Sequence, residues 1–271
     1  MAFSVNTNAG ALIALQTLNK TNKSLNITQN RVNTGFKVAT AKDNAAVYSI
    51  AQSQRGELSG LKAVKDSLNF ATGAIDTALA GAEAVSDLLI EMKEKAVAAK
   101  DPGQDDAQRT KLNNEFVQLR DQINTIVSNA EFNGVNAING SDNIVGIVNQ
   151  DASSSITIAA QTLTLTGLSL NASTIGAVTD AGNAVTAVDN ALDSTNAALA
   201  VLGAGSKRIE SVQSFVNKLS DTIEVGIGNL VDADLARESA NLQSLQVKQQ
   251  LGLQALAIAN QQPGTVLSLF G

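Results

Sequence analysis

Apolar residues recur along much of this chain at alternating steps of three and four, which is typical of helices packed lengthwise against other helices. The clearest stretch spans residues 61–99, where two interleaved columns each repeat every seven residues. The first column is Leu61, Leu68, Ile75, Ala82, Leu89 and Ala96, and the second is Val64, Ala71, Ala78, Val85, Met92 and Ala99. A helix of about 40 residues is roughly 60 Å long. The pattern therefore predicts an elongated, multi-helix coiled-coil bundle.

Two further segments continue this spacing. A turn at residues 101–103 precedes a helix that Asp105 caps, with Gln108 three residues later. The apolar positions of that helix are Leu112, Phe116, Leu119, Ile123, Ile126 and Ala130. Later in the chain one register holds Val185, Val188, Leu192, Thr195, Leu199 and Leu202, and a second holds Ile209, Val212, Val216, Leu219 and Ile223. We interpret the change near residues 203–205 as a stutter within one coiled coil.

Both ends of the chain repeat the pattern with polar interruptions. The first seam is Ala11, Leu15, Leu18, Asn22, Leu25, Gln29, Val32 and Phe36. The last seam is Leu235, Leu242, Leu245, Gln249, Gly252, Leu256 and Ala259, after which we expect Pro263 to stop the helix. Polar and small seam residues lower stability and can fix register. We therefore expect terminal helices that are marginal alone and ordered only against neighbours.

The middle of the chain, residues 132–178, has a different character. Asn-Gly pairs at 133–134 and 139–140 are turn signals, and residues 155–158 and 162–166 alternate with period two. This predicts a small insertion rich in β-hairpins within a mainly α fold. Ser, Thr, Asn and Gly run through the uncharged residues 152–179, so the sequence does not predict a membrane span there.

The composition excludes several kinds of catalytic site. The chain has no His and no Cys, which removes Ser-His-Asp and Cys-His nucleophiles, zinc sites built on them and disulfides. A site made of carboxylates and lysine stays open, but no P-loop or Gly-rich dinucleotide motif is present. The net charge of −6 argues against a nucleic-acid partner. We predict a scaffold or assembly protein, not an enzyme, with no catalytic residues, cofactor or metal.

Three stretches of the sequence carry motifs that point to one family. Residues 6–46, with Asn-Thr-Gly at 33–35 and Ala-Lys-Asp-Asn-Ala at 41–45, resemble the amino-terminal region of the bacterial flagellin family. Residues 230–270, with Ala-Asn-Gln-Gln-Pro at 259–263, are similar to its carboxyl-terminal tail, and residues 129–135 resemble the turn that closes its second inner helix. The three stretches occur in the family's order and spacing, and only residues 140–180 lie outside the resemblance.

The resemblance implies paired N- and C-termini and a three-part organisation. Residues 1–40 with 234–271 would form the inner coiled-coil core domain, residues 33–56 the spoke, and residues 57–233 the rod domain with its β-rich excursion at 132–178. The length is similar to that of minimal flagellins from some alphaproteobacteria. The implied function is that of a structural subunit of the bacterial flagellar filament, exported and polymerised into a tubular helical propeller for motility.

Two other functions stay open at this point. A hook-filament junction protein or another axial flagellar protein would share the terminal coiled coils, but it would join or cap instead of propagating. A secreted pore former would need a sustained apolar hairpin, which the sequence lacks.

The resemblance also assigns residues to these parts. The core self-assembly seam comprises Leu15, Leu18, Leu25, Val32, Leu235, Leu242, Leu245 and Leu256. These residues pack within the chain, between subunits, or both, since in a coiled-coil polymer one face packs within the subunit and the opposite face packs outward. The spoke includes Asn33, Gly35, Lys42, Asp43 and Asn44, where Gly35 permits a positive φ. The rod heptad core comprises Leu61, Val64, Leu68, Ile75, Val85, Leu89, Leu112, Phe116, Leu119 and Ile123.

The expected partners follow from the resemblance as well. They are other copies of the chain in a homopolymeric filament, an export chaperone, the filament cap and hook-associated junction proteins, with no nucleic acid and no membrane insertion. The expected location is the extracellular filament, reached through the flagellar type III system without a cleaved signal peptide. Many flagellins carry a run on the first rod helix that the vertebrate flagellin-sensing Toll-like receptor binds. Ile90, Glu91 and Lys95 lie in the matching region, and the departures at Glu91 and Lys95 predict poor recognition.

Overall fold

A computed structural model describes residues 7–267 and is 74% helical. The helices are α1 (Ala9–Thr34), α2 (Ala45–Lys100), α3 (Asp106–Asn129), α4 (Val178–Val231) and α5 (Leu235–Leu267). Two strands, β1 (Ile144–Ile147) and β2 (Ser155–Ile158), form an antiparallel hairpin between α3 and α4. The predicted fold class, mainly helical with a small β-hairpin insertion, is confirmed.

The described residues divide into two compact units. The terminal unit contains the residues up to Gly56 together with those from Thr222 onward, and the central unit is Glu57–Asp221. The outermost residues of the expected core domain, 1–6 and 268–271, lie outside the described residues.

In the central unit, α2 forms the core with α3 and α4. All twelve heptad positions of α2 between Leu61 and Ala99 are buried. The α3 helix runs antiparallel to α2, since Lys95 contacts Glu115 whereas Gly81 lies against Ala130. The α4 helix is also antiparallel to α2, since Lys93 pairs with Asp189 and Asn69 with Gln213. Of the predicted core residues on α3, Phe116 and Ile123 are fully buried, and Leu112 and Leu119 are half-buried.

The predicted stutter in α4 is wrong. One seven-residue column is buried throughout, namely Val188, Thr195, Leu202, Ile209 and Val216. Its partner column lies three residues further on in both halves of the helix, at Ala191, Ala198, Gly205 and Val212, the first three buried and the last half-buried. Because the first three are small, the pattern of large side chains pointed instead to Leu192 and Leu199, which are half-buried beside the seam.

The β-insertion differs in part from the prediction. The strand at 155–158 and the turn at Asn133-Gly134 are confirmed, and both turn residues have positive φ. Residues 162–166 do not form a strand, since Thr162 makes one isolated bridge to Asn139 and a turn follows. The partner of β2 is β1, which the alternation did not indicate because Gly146 interrupts it.

The hairpin is held against the helices by specific contacts. The backbone N–H of Ile147 donates to Ser67 Oγ on α2 at 3.0 Å. Ile158 packs over Gly205 of α4, where a Cβ would lie 2.8 Å from the Ile158 Cδ1. The absence of a side chain at Gly205 therefore allows close approach of β2.

The turn and cap before α3 are confirmed. Asp105 is the N-cap, and its Oδ1 accepts a hydrogen bond from the backbone N–H of Gln108 at 2.6 Å. The buried Arg109 closes the same turn, because its guanidinium donates to the carbonyl of Asp101 at 3.2 Å and to a carboxylate oxygen of Asp106 at 3.3 Å.

In the terminal unit, α1 and α5 pack as an antiparallel pair. Asn8 contacts Ala259 at one end, and Arg31 contacts Glu238 at the other. The prediction that Pro263 ends α5 is wrong, because the helix continues to Leu267. A proline lacks the N–H that would donate to the carbonyl four residues earlier. That carbonyl belongs to Ala259, and it accepts a hydrogen bond from the Asn8 side chain instead.

Candidate assembly site

The seam between α1 and α5 is narrow and made largely of small or polar residues. On α5 the predicted positions Leu242, Leu245, Gln249, Gly252, Leu256 and Ala259 are half-buried. On α1 the column Ala11, Leu18, Leu25 and Val32 is buried or half-buried, and Ala14, Thr21 and Thr28 complete the seam. Leu18 and Thr28 are the two buried residues of α1.

Leu15 and Leu235, which the sequence assigned to the seam, do not lie within it. Leu15 is 44% exposed and Leu235 49% exposed. Ala14 and Glu238 take the corresponding seam positions and are half-buried. About half of each of these two side chains is therefore left exposed in the single chain.

The outward faces of both helices carry large exposed side chains. These are Leu12, Ile13, Leu15 and Ile27 on α1, and Val247, Leu251, Leu253 and Ile258 on α5, each between 41% and 64% exposed. We call these eight residues the outward apolar faces. At one end they adjoin a groove of about 390 Å³, lined by Ala11, Leu12, Leu15, Leu256 and Asn260 among others. Exposed apolar patches typically mark sites of protein association.

Polar contacts across the seam relate specific residues of the two helices. Gln249 Nε2 donates to Asn22 Oδ1 at 2.8 Å. Arg31 pairs with Glu238 at 3.1 Å, and the Glu238 side chain is only 13% exposed. Asn22 and Gln249, two of the three polar residues that the sequence placed in the seams, are thus bonded to each other, whereas the third, Gln29, is exposed.

The segment between α1 and α2 is ordered by local hydrogen bonds. Gly35 ends α1 with φ of +73°, as the sequence predicted, and its N–H donates to the Arg31 carbonyl. The Asp43 carboxylate accepts from the backbone N–H of Thr40, from the Thr40 hydroxyl and from the N–H of Ala39. These bonds, with that from the Thr40 backbone foremost, lower the pKa of Asp43 below its usual 3.8. The Asn44 side chain accepts from the N–H of Val47 at the start of α2.

The remaining spoke residues, Asn33 and Lys42, are exposed. The same segment also pairs with the end of α4. The N–H of Lys37 donates to the Val231 carbonyl at 2.7 Å, and the N–H of Ala233 donates to the Gly35 carbonyl at 2.8 Å. These hydrogen bonds therefore join the segment that follows α1 to the segment that precedes α5, within the terminal unit.

On α2, only some side chains of the region that matches the receptor-binding run are exposed. Ile90 is 56% exposed and Glu91 is exposed, whereas Leu89 and Met92 are buried. Lys95 is half-buried, and its Nζ lies 2.8 Å from Glu115 Oε2. The hydrogen bond with Glu115 raises the pKa of Lys95 above 10.5.

No arrangement for metal chemistry is found within residues 7–267, where no three His, Cys, Asp or Glu side chains come close enough to hold an ion. The helices in this part of the chain also include none that is both long and apolar enough to cross a membrane.

Two asparagines make contacts that the sequence reasoning missed. Asn136 is buried, and its amide donates to the Val127 carbonyl at 2.6 Å while its oxygen accepts from the N–H groups of Ile138 and Asn139. Asn8 caps α1, with its side-chain oxygen accepting from the N–H of Ala11. An Asn just before an apolar periodic run is a recognisable N-cap signal. The local sequence does not indicate the bond from Asn136 to Val127 or the bond from Asn8 to Ala259.

An antiparallel pair of terminal helices with exposed apolar faces, joined in sequence to a helical bundle with heptad packing, defines a class of helical self-assembling proteins. Comparison with known proteins identifies the family. The bacterial flagellin N-terminal helical region matches residues 5–143, and the C-terminal helical region matches residues 185–270. The chain belongs to the bacterial flagellin family.

Individual relatives agree along nearly the whole chain. It is 47% identical to flagellin FljM of Caulobacter vibrioides over 98% of both chains. It is 39% identical to a flagellin of Brucella melitensis, over 98% of this chain and 99% of the other. The fold is similar to the structure of a proposed flagellar hook-associated protein from Vibrio parahaemolyticus, with a TM-score of 0.60, 11% identity, and coverage of 70% of this chain and 100% of that one.

The protein is therefore a structural subunit of the bacterial flagellar filament. Flagellins as a family are structural and not enzymatic.

Proposed function

We propose that the chain polymerises through the outward apolar faces of α1 and α5, which pack against the same helices of neighbouring copies. The observation that carries this proposal is the exposure of eight large apolar side chains on two helices that share only a narrow seam. No α5 residue with a described side chain is fully buried, so the pair alone gains little from burial. Covering a half-exposed Leu or Ile contributes about 1 kcal/mol.

The proposal is tested by seeded elongation with two substitutions at one position. Ile13 is 64% exposed, so Ile13→Asp should leave the thermal unfolding of the monomer unchanged. It should abolish elongation from filament fragments, because a carboxylate would be buried against apolar surface. The control Ile13→Leu keeps the apolar area and should elongate like the parent chain. Elongation of Ile13→Asp at the parental rate would contradict the proposal.

The three-part organisation is part of the same proposal. Residues 1–40 with 234–271 act as the inner core, 33–56 as the spoke and 57–233 as the rod with its excursion at 132–178. The compact units support a division of this kind, because they separate at residue 57, where the proposed rod begins, and at residue 222, twelve residues before its proposed end at 233/234. Limited proteolysis of the monomer should leave a resistant fragment close to Glu57–Asp221. Cleavage inside α3 before the termini are removed would contradict this organisation.

The same proposal assigns an export route and a set of partners. The chain leaves the cell through the flagellar type III system without loss of a signal peptide, with a chaperone holding α5 from about Asp234. The filament cap and the hook-associated junction proteins are its partners at the two ends of the filament. Mass spectrometry of filament subunits should find the encoded N-terminus apart from its initiator methionine. A deletion of α5 should abolish chaperone co-purification, and retention of the chaperone would contradict the assignment.

We also propose that the chain activates the vertebrate flagellin receptor poorly. Glu91 is exposed where the matching run of many flagellins carries Arg, so acceptors on the receptor would face a like charge. Lys95 stands where the matching run carries Leu, and it pairs with Glu115 instead of offering the receptor an apolar contact. In a reporter-cell assay, Glu91→Arg with Lys95→Leu should raise activation by monomer at least tenfold. Strong activation by the unchanged chain would contradict the proposal.

A further inference from the structure

Asn8 uses both ends of its side-chain amide where α1 meets α5. Its Oδ1 accepts a hydrogen bond from the N–H of Ala11 at 3.0 Å and so caps α1. Its Nδ2 donates to the carbonyl oxygen of Ala259 on α5 at 2.6 Å. The side chain is half-buried, and it joins residues 251 positions apart in sequence.

The acceptor of this bond depends on a proline. In an α-helix the carbonyl of residue 259 accepts from the N–H of residue 263, but Pro263 has none. The chain contains one other proline, Pro102, which lies in the turn before α3. Ala259 therefore has the one carbonyl within α5 that loses its intrahelical donor to a proline. A donor that recognises this carbonyl recognises a single position along the helix.

The apolar residues of the seam specify the alignment of the two helices weakly, whereas the polar contacts of Asn22 with Gln249 and of Arg31 with Glu238 also depend on it. A slip by one heptad, about 10.5 Å, would preserve the apolar column on both helices. It would place Asn8 opposite the carbonyl of Gly252, which the N–H of Leu256 already occupies within the helix. It would also separate Leu18 from Gly252, where a Cβ would lie 3.3 Å from a Leu18 methyl carbon. The bond to Ala259 penalises this slip.

We propose that Asn8 is a positioning residue for filament assembly, because its bond to the proline-freed Ala259 carbonyl, together with the polar contacts further along the seam, sets the register of α1 against α5. The register decides which residues of the two helices lie side by side next to the outward apolar faces, for example Leu12 and Leu15 with Leu256 in the groove. This inference rests on assembly through those faces, as proposed above. Asn8 itself need not contact another subunit.

A double-mutant cycle separates this role from simple helix capping. Asn8→Asp keeps the cap, since Asp and Asn cap equally well, but it removes the donor to Ala259. Pro263→Ala gives the Ala259 carbonyl an intrahelical donor again. The new charge is present in both halves of the cycle, so it cancels in the comparison. The readout is the critical concentration for elongation from parental filament fragments.

We expect Asn8→Asp to raise the critical concentration about tenfold when residue 263 is Pro, as for a half-buried carbonyl left without a donor. When residue 263 is Ala, the same substitution should raise it less than threefold. An equal rise in both backgrounds, no rise in either, or loss of elongation in both would overturn the proposal. Failure of the unchanged chain to elongate would instead refute assembly through the outward faces.

A register reporter gives an independent readout in co-filaments with excess parent chain. The chain has no cysteine, so a designed pair is unambiguous. Leu18→Cys with Gly252→Cys places Cβ atoms about 3.9 Å apart, which suits a disulfide. Leu18→Cys with Leu245→Cys reports the one-heptad slip. Adding Asn8→Asp should at least halve oxidation of the 18–252 pair and increase oxidation of the 18–245 pair. Unchanged yields would overturn the proposal.

Discussion

Replacing Gly205 tests how α4 packs under the β-hairpin. A Cβ at this position would lie 2.8 Å from the Cδ1 and 3.0 Å from the Cγ1 of Ile158. Ala in place of Gly stabilises a helix interior by about 1 kcal/mol, whereas overpacking a core costs about 1–3 kcal/mol. Because three carbons of Ile158 meet the new atom, we expect Gly205→Ala to lower the free energy of unfolding by about 1 kcal/mol net.

The matched control is Gly203→Ala, two residues away in the same helix, where nothing lies within 4 Å of the new atom. It should raise the free energy of unfolding by about 1 kcal/mol. In an Ile158→Ala background the overpacking is relieved, so Gly205→Ala should become stabilising as well. Thermal unfolding followed by far-UV circular dichroism resolves these effects at about 2–4 °C per kcal/mol. Equal stabilisation by Gly205→Ala and Gly203→Ala in the parent chain would refute this packing.

Three other predictions concern single side chains. Leu89 is fully buried, so Leu89→Ala should lower the free energy of unfolding by about 2–5 kcal/mol. The adjacent Ile90→Ala should change it by less than about 0.5 kcal/mol. Equal changes for the two variants in urea denaturation would contradict the heptad assignment. Asn136→Ala removes the side chain that donates to the Val127 carbonyl, so it should lower the free energy of unfolding by about 2–3 kcal/mol. Only a small change in melting temperature would disprove this prediction. Folding lowers the pKa of Asp43, so the stability that its carboxylate contributes is present above pH 3.8 and is lost as the pH falls through the folded pKa. An NMR titration midpoint at or above 3.8 would show that its hydrogen bonds are absent.

The heptad pattern predicted α2 well because large apolar side chains recur in both of its columns and the positions between them are alanines. In α4 and α1 one column was found correctly and its partner was not. The true partner positions hold small or polar residues, such as Ala198 and Gly205 on α4 and Ala14 and Thr28 on α1. A small residue can be buried under a neighbouring element at any spacing, so apolar periodicity alone cannot identify it. Glycine inside a long helix was the available signal, since it costs about 1 kcal/mol relative to Ala.

Long-range polar contacts were beyond sequence reasoning for a different reason. Pro263 was expected to end α5 because proline removes a backbone donor. The helix nevertheless continues to Leu267, and Asn8, far away in sequence, donates to the carbonyl that the proline leaves free. Likewise the period-two pattern at residues 162–166 predicted a strand, but the run makes one isolated bridge, between Thr162 and Asn139, and then enters a turn. Whether a short alternating run becomes a strand depends on a partner, which local pattern does not supply.

The most direct test of the account is electron microscopy of the purified chain after seeding with short filament fragments, with circular dichroism of the same sample. We predict long uniform tubes and helicity that rises as subunits assemble, because the narrow α1–α5 seam is completed by the outward faces of neighbouring copies. Persistent monomers with unchanged helicity would contradict polymerisation through these helices. Short caps on the seeds would instead favour a hook-filament junction protein.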